Sequence, residues 1–313
     1  MLQEKTESYI TLYKEPEDFR DRQLSVFWTA DEIKVEKDVH DVLTNFTEAE
    51  RHGVFTTLKL FTHYEMKAGE EYWTGRFMKI FPRHEFTSMA SVFGMFELAV
   101  HAPFYNKINL LLNAHDDSFY TDYVNNHVLK ARMDSIDSYI NHPDDRISIA
   151  AFSLVEGVIL YSNFAFLKHF PSLGKNTLLN VVRGIDFSVR DENIHSEAGA
   201  WCFNELPKSS LVDRYIRDVA REICEHETSI IYMLFAKGDI EGINPQDMIT
   251  FVKSRIDVCL LKLGIDPIYE DIGNNPIADW FYKGINNYKM NDFFTGQGRE
   301  YTRNWDEKGF VWK

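Results

Sequence analysis

Two apolar stretches of the chain carry acid and imidazole side chains where a folded protein ordinarily places hydrocarbon. In MASVFGMFELAVHAPFY these are Glu97 and His101, and in SIAAFSLVEGVILYSNFAF the acid is Glu156. A carboxylate in such a setting is costly to bury unless something pairs with it. No Lys or Arg lies within a helical turn of Glu156, so its partner must come from another element. Further on, VRDENIHSEAG sets Glu192 and His195 three residues apart, on one face of a helix. Glu65 sits about midway along GVFTTLKLFTHYEMKAGEEYW. Acids and imidazoles converging from several helices are the donor chemistry of a metal centre.

The elements that must position these residues are helical. Most of the chain has helical rather than alternating periodicity, and there is no Gly-rich phosphate loop. Thr47 and Glu50 in TEAE form a capping box that starts the Glu65 helix. A second helix holds Glu97 and His101, and another is expected near 118–140. PDD at 143–145 opens the Glu156 helix, PSLGKN at 171–176 is a turn, and a helix through Glu192 and His195 follows. Later helices are expected near 210–236 and 245–263. Residues 1–46 read as an irregular N-terminal arm with short helical pieces, 47–274 as the helical domain, and 275–313 as a flexible C-terminal tail.

Ferritin-like di-metal bundles take a lone Glu from each of two helices and a Glu-His pair from each of the other two. This chain offers Glu65, then Glu97 with His101, then Glu156, then Glu192 with His195. Glu97 follows Glu65 by 32 residues and Glu192 follows Glu156 by 36, each enough for a helix, a turn and the return. The expected fold is therefore all-α, a ferritin-like helical bundle around two metal ions. Carboxylate-rich ligation with two imidazoles suits iron or manganese better than structural zinc. Four carboxylates also neutralise two divalent ions, which removes the charge objection to burying them. Glu97 lies four residues before His101, not three. Pro103 offers a cause, because a proline clashes with the carbonyl four residues back, here that of Ala99. A π-bulge relieves such a clash by adding one residue to the turn.

Other acid–histidine neighbours have a plainer reading. Glu222 and His226, in REICEHETSI, sit on a charged, solvated face, and His63 and His84 lie among polar residues. The 313 residues are 44% hydrophobic and carry a formal charge of −14. That charge argues against a nucleic-acid groove or an anionic membrane face. There is no run of about 18 consecutive apolar residues, and the N-terminus lacks a signal-peptide core. Cys202, Cys224 and Cys259 have no CxxC spacing, so neither a disulfide framework nor a thiolate zinc site is expected, and a reducing cytoplasm is the natural setting.

With these residues in hand, the chain resembles the small, radical-generating subunit of class I ribonucleotide reductase. VFWTADEI looks like the family's segment carrying a tryptophan near the metals, here Trp28. TLKLFTHYE matches the helix ending at the first ligand, with Glu65 where most members have Asp. FELAVHAPFY is similar to the ExxH helix, and puts Tyr105 where the radical tyrosine belongs. SLVEGVILYSNFAF matches the lone-Glu helix. VRDENIH is similar to the family's R-D-E-x-x-H and brings Asp191 as an acid behind the ligands. NDFFTGQGREYTRNW resembles the C-terminal segment that relays the radical, with Tyr301 as the relay, and the final FVWK resembles the anchor on the large subunit.

The resemblance implies six metal ligands (Glu65, Glu97, His101, Glu156, Glu192, His195) and two ions per chain, iron, manganese or a mixed Mn/Fe pair. It implies a tyrosyl radical on Tyr105, passed through His101, Asp191 and Trp28 toward Tyr301 and the large subunit, where ribonucleotides become deoxyribonucleotides. A homodimer is implied as well, and an activating flavoprotein is left open. Three departures stand out: Glu65 in place of aspartate, the long Glu97–His101 spacing, and Pro103. The competing reading is a ferritin-like di-iron oxygenase or oxidase, which would need a substrate pocket beside the metals.

Overall fold

Thr47 opens the first long helix. Its hydroxyl accepts the Glu50 amide at 3.2 Å, and the Glu50 carboxylate returns to the Thr47 amide at 2.8 Å, which satisfies two of the helix's unpaired N–H donors. The computed structural model describes residues 2–282 apart from His115, Leu173, Glu270 and Asp271. From Thr47 the chain runs as Glu48–Met66, continues through π-helical turns at Lys67–Phe77 and ends at Met78–Ile80. A second long helix comprises His84–Phe96, a π turn at Glu97–His101, and Ala102–Leu111. A third comprises Asp145–Leu154, a π turn at Val155–Ile159, and Leu160–Ser172. The fourth is Leu179–Asn204. These four carry all six expected ligands.

The third helix is the core of the bundle, with every residue from Ile147 to Phe170 buried. The run Asp145–Ser172 is long and apolar enough to cross a membrane, and its most apolar window is wholly enclosed by the other helices. His127–Ile140, Ser210–Leu234 and Pro245–Lys262 pack around it. Among the described residues there is no strand, only an isolated bridge between Ile240 and Ile243. The stretch expected as one helix near 118–140 is broken into Asp117–Thr121, a 3₁₀ turn and His127–Ile140, the last capped by the Asn126 side chain.

The π turns shape the site. The one at Glu97–His101 lies immediately before the helical turn containing Pro103, as the proline clash requires. Carbonyls displaced from a regular helical ladder need other donors, and two buried arginines supply them at Val155–Ile159. Arg255 donates Nε and Nη2 to the Gly157 carbonyl at 3.1 and 2.9 Å, and Arg132 donates Nη2 to that of Ile159 at 2.6 Å. Gly157 has to be glycine, since a Cβ there would lie 2.4 Å from Cys259 Sγ and 2.6 Å from Ser196 Oγ.

The N-terminal arm is partly ordered by packing. Its helix Glu15–Ser25 lies along the second and fourth helices and leads to Trp28, which is fully buried. At the other end, residues 276–282, read from sequence as the start of a loose tail, are helical. Ile277 and Phe281, one turn apart, are buried, with Phe281 against Phe251 (ring centroids 4.8 Å) and Tyr161 (5.8 Å). Tyr301 and the FVWK terminus lie outside the described residues.

Candidate metal centre

The four long helices bring the six candidate ligands into two overlapping sets. One contains Glu65, Glu97, His101 and Glu192, and the other Glu97, Glu156, Glu192 and His195. Within each set the donor atoms all lie within 4.8 Å of one another, and every member is buried. Glu97 and Glu192 belong to both sets, as ligands that bridge two ions would, while each imidazole belongs to one.

The close contacts converge on the histidines. His101 Nδ1 faces three carboxylates, Glu97 at 2.9 Å, Glu192 at 3.3 Å and Glu65 at 3.5 Å. The π turn makes the first contact, since it closes the four-residue gap between Glu97 and His101. His195 Nδ1 lies 2.7 Å from Glu97 and 3.5 Å from Glu192. Close as these contacts are, several of the atoms make no well-aligned hydrogen bond: Glu65 Oε1, Glu97 Oε1, both carboxylate oxygens of Glu192 and both ring nitrogens of His195. Buried groups are rarely left so. Donor atoms crowded this closely, with hydrogen-bonding capacity left over, fit two bound cations.

Electrostatics point the same way. Burial, with the neighbouring Glu97, raises the proton affinity of Glu65 well above that of an ordinary carboxyl, and burial with Glu192 does the same for Glu156. For Glu97 burial is outweighed by His101 and His195, which hold its carboxyl well below the usual range. Burial likewise opposes the charge on both imidazoles, but Glu97 and its neighbours prevail, raising His101 well above normal and His195 to about 9. Without metal, the cluster keeps protons where two divalent ions would supply positive charge.

Behind the ligands runs a second set of hydrogen bonds. Asp191 Oδ2 accepts the Trp28 indole N–H at 2.7 Å and lies 3.1 Å from His101 Nε2, so a single oxygen joins the indole to the imidazole. Asp191 holds Nε2 and so turns the Nδ1 edge of His101 toward the carboxylates, where it carries a proton in the metal-free cluster and would offer its lone pair to a bound ion. Tyr105 is fully buried, with its ring 4.5 Å from Phe61 and 5.1 Å from Phe104. Phe164 stands behind Phe61 at 5.6 Å. Burial, followed by the charge of Glu65, drives the Tyr105 hydroxyl well above its ordinary range, so it is a neutral phenol.

The polar histidines stay apart from this cluster. His63 meets the Tyr120 carbonyl, His84 meets Glu85, and His226 lies 3.6 Å from Glu222 on a partly exposed face.

A family description, "Ribonucleotide reductase, small chain", matches residues 9–276. The chain belongs to this family. It is 26% identical over 319 residues to the ribonucleoside-diphosphate reductase subunit beta of Halalkalibacterium halodurans, covering 92% of this chain and 86% of that one. It is 24% identical over 302 residues to a probable ribonucleoside-diphosphate reductase small subunit of Invertebrate iridescent virus 3, covering 88% and 78%. In fold it is similar to the dimanganese(II) NrdF protein of Streptococcus sanguinis, with a TM-score of 0.76 and 21% identity over 90% of this chain and 99% of the other. A solved structure from Bacillus halodurans gives a TM-score of 0.78 and 21% identity over 87% of this chain and 99% of the other. The chain is the small subunit of a ribonucleotide reductase.

Some of the site's residues escape a reading of the sequence. Trp73 donates its indole N–H to Glu156 Oε1 at 2.8 Å, although it lies in GEEYWTGR, a stretch that looks solvated. Ser188 Oγ is 3.1 Å from Tyr105 Oη. The serine's place four residues before Glu192 was the available signal, since i and i+4 share a helix face.

Proposed function

We propose that Glu65, Glu97, His101, Glu156, Glu192 and His195 hold two redox-active metal ions, iron or manganese, and that the loaded site oxidises Tyr105 to a tyrosyl radical. The observation that carries this reading is the pair of buried donor sets sharing Glu97 and Glu192. When bound, the metal pair supplies one-electron oxidising power drawn from an oxygen species. The chain's own residues do the rest. The four carboxylates balance the charge of two divalent ions, and Asp191 orients His101. Tyr105 gives up one electron and its phenolic proton in a pocket lined by Phe61 and Phe104, which keep water away from the radical.

The radical then passes along His101, Asp191 and Trp28, whose contacts form a continuous chain, toward Tyr301 of the C-terminal segment. That segment, ending in FVWK, docks on the large subunit, where the 2′-hydroxyl of a ribonucleotide is replaced by hydrogen. The small subunit acts as a homodimer; a solved relative with a TM-score of 0.74, the Rnr4 protein of Saccharomyces cerevisiae, is described as one. An oxygenase would need room for an organic substrate beside the metals. The cavity lined by Glu65 and Glu156 measures about 10 Å³, enough for a water-sized molecule only.

The test is electron paramagnetic resonance after anaerobic Fe(II) loading and exposure to O2, on wild type and Tyr105→Phe, with metals counted per chain. Two metals and a tyrosyl signal absent from the variant are expected. A tyrosyl signal that persists in Tyr105→Phe would place the radical elsewhere, and a metal-free protein would remove the reading.

A further inference from the structure

We propose that Ser188 is the positioning residue of the radical site, holding the oxygen of Tyr105 by a hydrogen bond that survives oxidation; this rests on the assignment of the radical to Tyr105. The phenol donates to Ser188 Oγ at 3.1 Å, and both side chains are fully buried. Phe61 and Phe104 form the aromatic side of the pocket and offer no hydrogen-bonding group, and the charge acting most strongly on the hydroxyl is that of Glu65.

The helix bearing Ser188 is shaped to admit this contact. One turn earlier lies Gly184, where a Cβ would fall 2.2 Å from Phe104 Cζ. Two small residues one turn apart therefore receive Phe104 and Tyr105, consecutive on the facing helix. One turn later comes Glu192, a member of both donor sets. The serine is thus fixed by the same rigid helix that carries Glu192, so ring and candidate ligands keep a common frame.

A hydroxyl has a property that a carboxylate or a carbonyl lacks: it both accepts and donates. In the reduced protein Ser188 accepts from the phenol. On oxidation Tyr105 gives one electron to the oxidant that the loaded site supplies and its phenolic proton to a carboxylate of that site. Ser188 keeps its own proton and rotates to donate it to the phenoxyl oxygen. No bond between heavy atoms forms or breaks, and the ring stays where it was. A carboxylate at this position would repel the electron-rich phenoxyl oxygen, and an alanine would leave the phenol oxygen without its partner.

The experiment is high-field electron paramagnetic resonance with deuteron hyperfine spectroscopy on the oxygen-treated, metal-loaded full chain, in H2O and D2O. Wild type, Ser188→Ala and Ser188→Thr are compared, with metals counted in each. The expected wild-type radical shows an exchangeable deuteron coupled to the phenoxyl oxygen and a lowered gx. Ser188→Ala should keep two metals, lose that coupling and shift gx upward, while Ser188→Thr should restore both. A coupling unchanged in Ser188→Ala, or absent from the wild type, overturns the proposal while leaving Tyr105 as the radical site. A radical that survives Tyr105→Phe overturns both, and the two failures are told apart by that variant.

Discussion

The indole N–H of Trp73 donates to the carboxylate of Glu156 across 83 positions of sequence, at 2.8 Å and with both side chains buried. Glu156 is the single acid in the buried stretch from Ile147 to Phe170 of the core helix, and this bond fixes one of its oxygens. Hydrogen bonds behind a metal ligand set its orientation, and losing one typically weakens metal binding about 10–100-fold. Trp73→Phe keeps the ring and removes the donor. The expected outcome is one ion bound as in the wild type and the other weakened by that factor, read by titration with Mn(II). Two ions bound with wild-type affinity would deny Trp73 this role.

A second prediction concerns the C-terminal segment. If it serves only to dock and relay, removing residues 304–313 leaves metal content and the tyrosyl signal unchanged, and turnover with the large subunit falls to background. Residues Ile277 and Phe281 anchor the chain before the cut, so folding is expected to be unaffected. Unchanged turnover in the truncated protein would end the assignment of FVWK as the anchor.

How much of this could be read from the residues differs by kind of signal. Glu156 stands out because it is an acid in an apolar run, and Glu192 with His195 because three residues separate them on one helix. The π turn at Glu97–His101 is legible through Pro103, whose steric demand is local. Trp73, Ser188, Arg132 and Arg255 are not legible in this way. Each acts on a group far away in sequence, and what makes it specific is the packing of two helices rather than a pattern in one. Trp73 is further hidden because the π turns at Lys67–Phe77 shift the helical phase, so a residue that follows Glu70 and Glu71 in a polar stretch turns inward. The helical segment at 276–282 left a weak sign, Ile277 and Phe281 one turn apart, too short to register as a stripe.

Arg255 yields a third prediction. Its guanidinium caps the Gly157 carbonyl with two nitrogens, lies 3.9 Å from the centre of the Tyr161 ring and donates to Tyr282 Oη at 3.1 Å. One side chain thus ties the Glu156 turn to the last described helical segment. Lysine keeps the charge but not the fork, and hydrogen bonds from a charged group contribute about 1.5–3 kcal/mol. Arg255→Lys is expected to lower unfolding stability by about 2 kcal/mol in urea titration. A loss below about 0.5 kcal/mol, the scale of an inert surface change, would show that the carbonyl is satisfied otherwise.

The last prediction is about acid. His169 is fully buried, its Nδ1 donates to the Phe166 carbonyl, and its Nε2 has no partner. Burial lowers its pKa from 6.5 to about 4, because a proton on Nε2 would place a charge among Phe166 and Phe170. The folded state therefore binds fewer protons than the unfolded chain between these two values. Stability from this group is present above pH 6.5 and is lost as pH falls toward 4, since the unfolded chain gains the proton first. From about pH 7 to about pH 5 the loss amounts to roughly 2 kcal/mol. Phenylalanine suits the same aromatic surroundings and cannot titrate. Urea titrations of metal-free wild type and His169→Phe at both pH values should show the wild type losing roughly 2 kcal/mol more than the variant. Equal losses would mean that His169 is protonated in the fold, and that the acid sensitivity of the protein arises elsewhere.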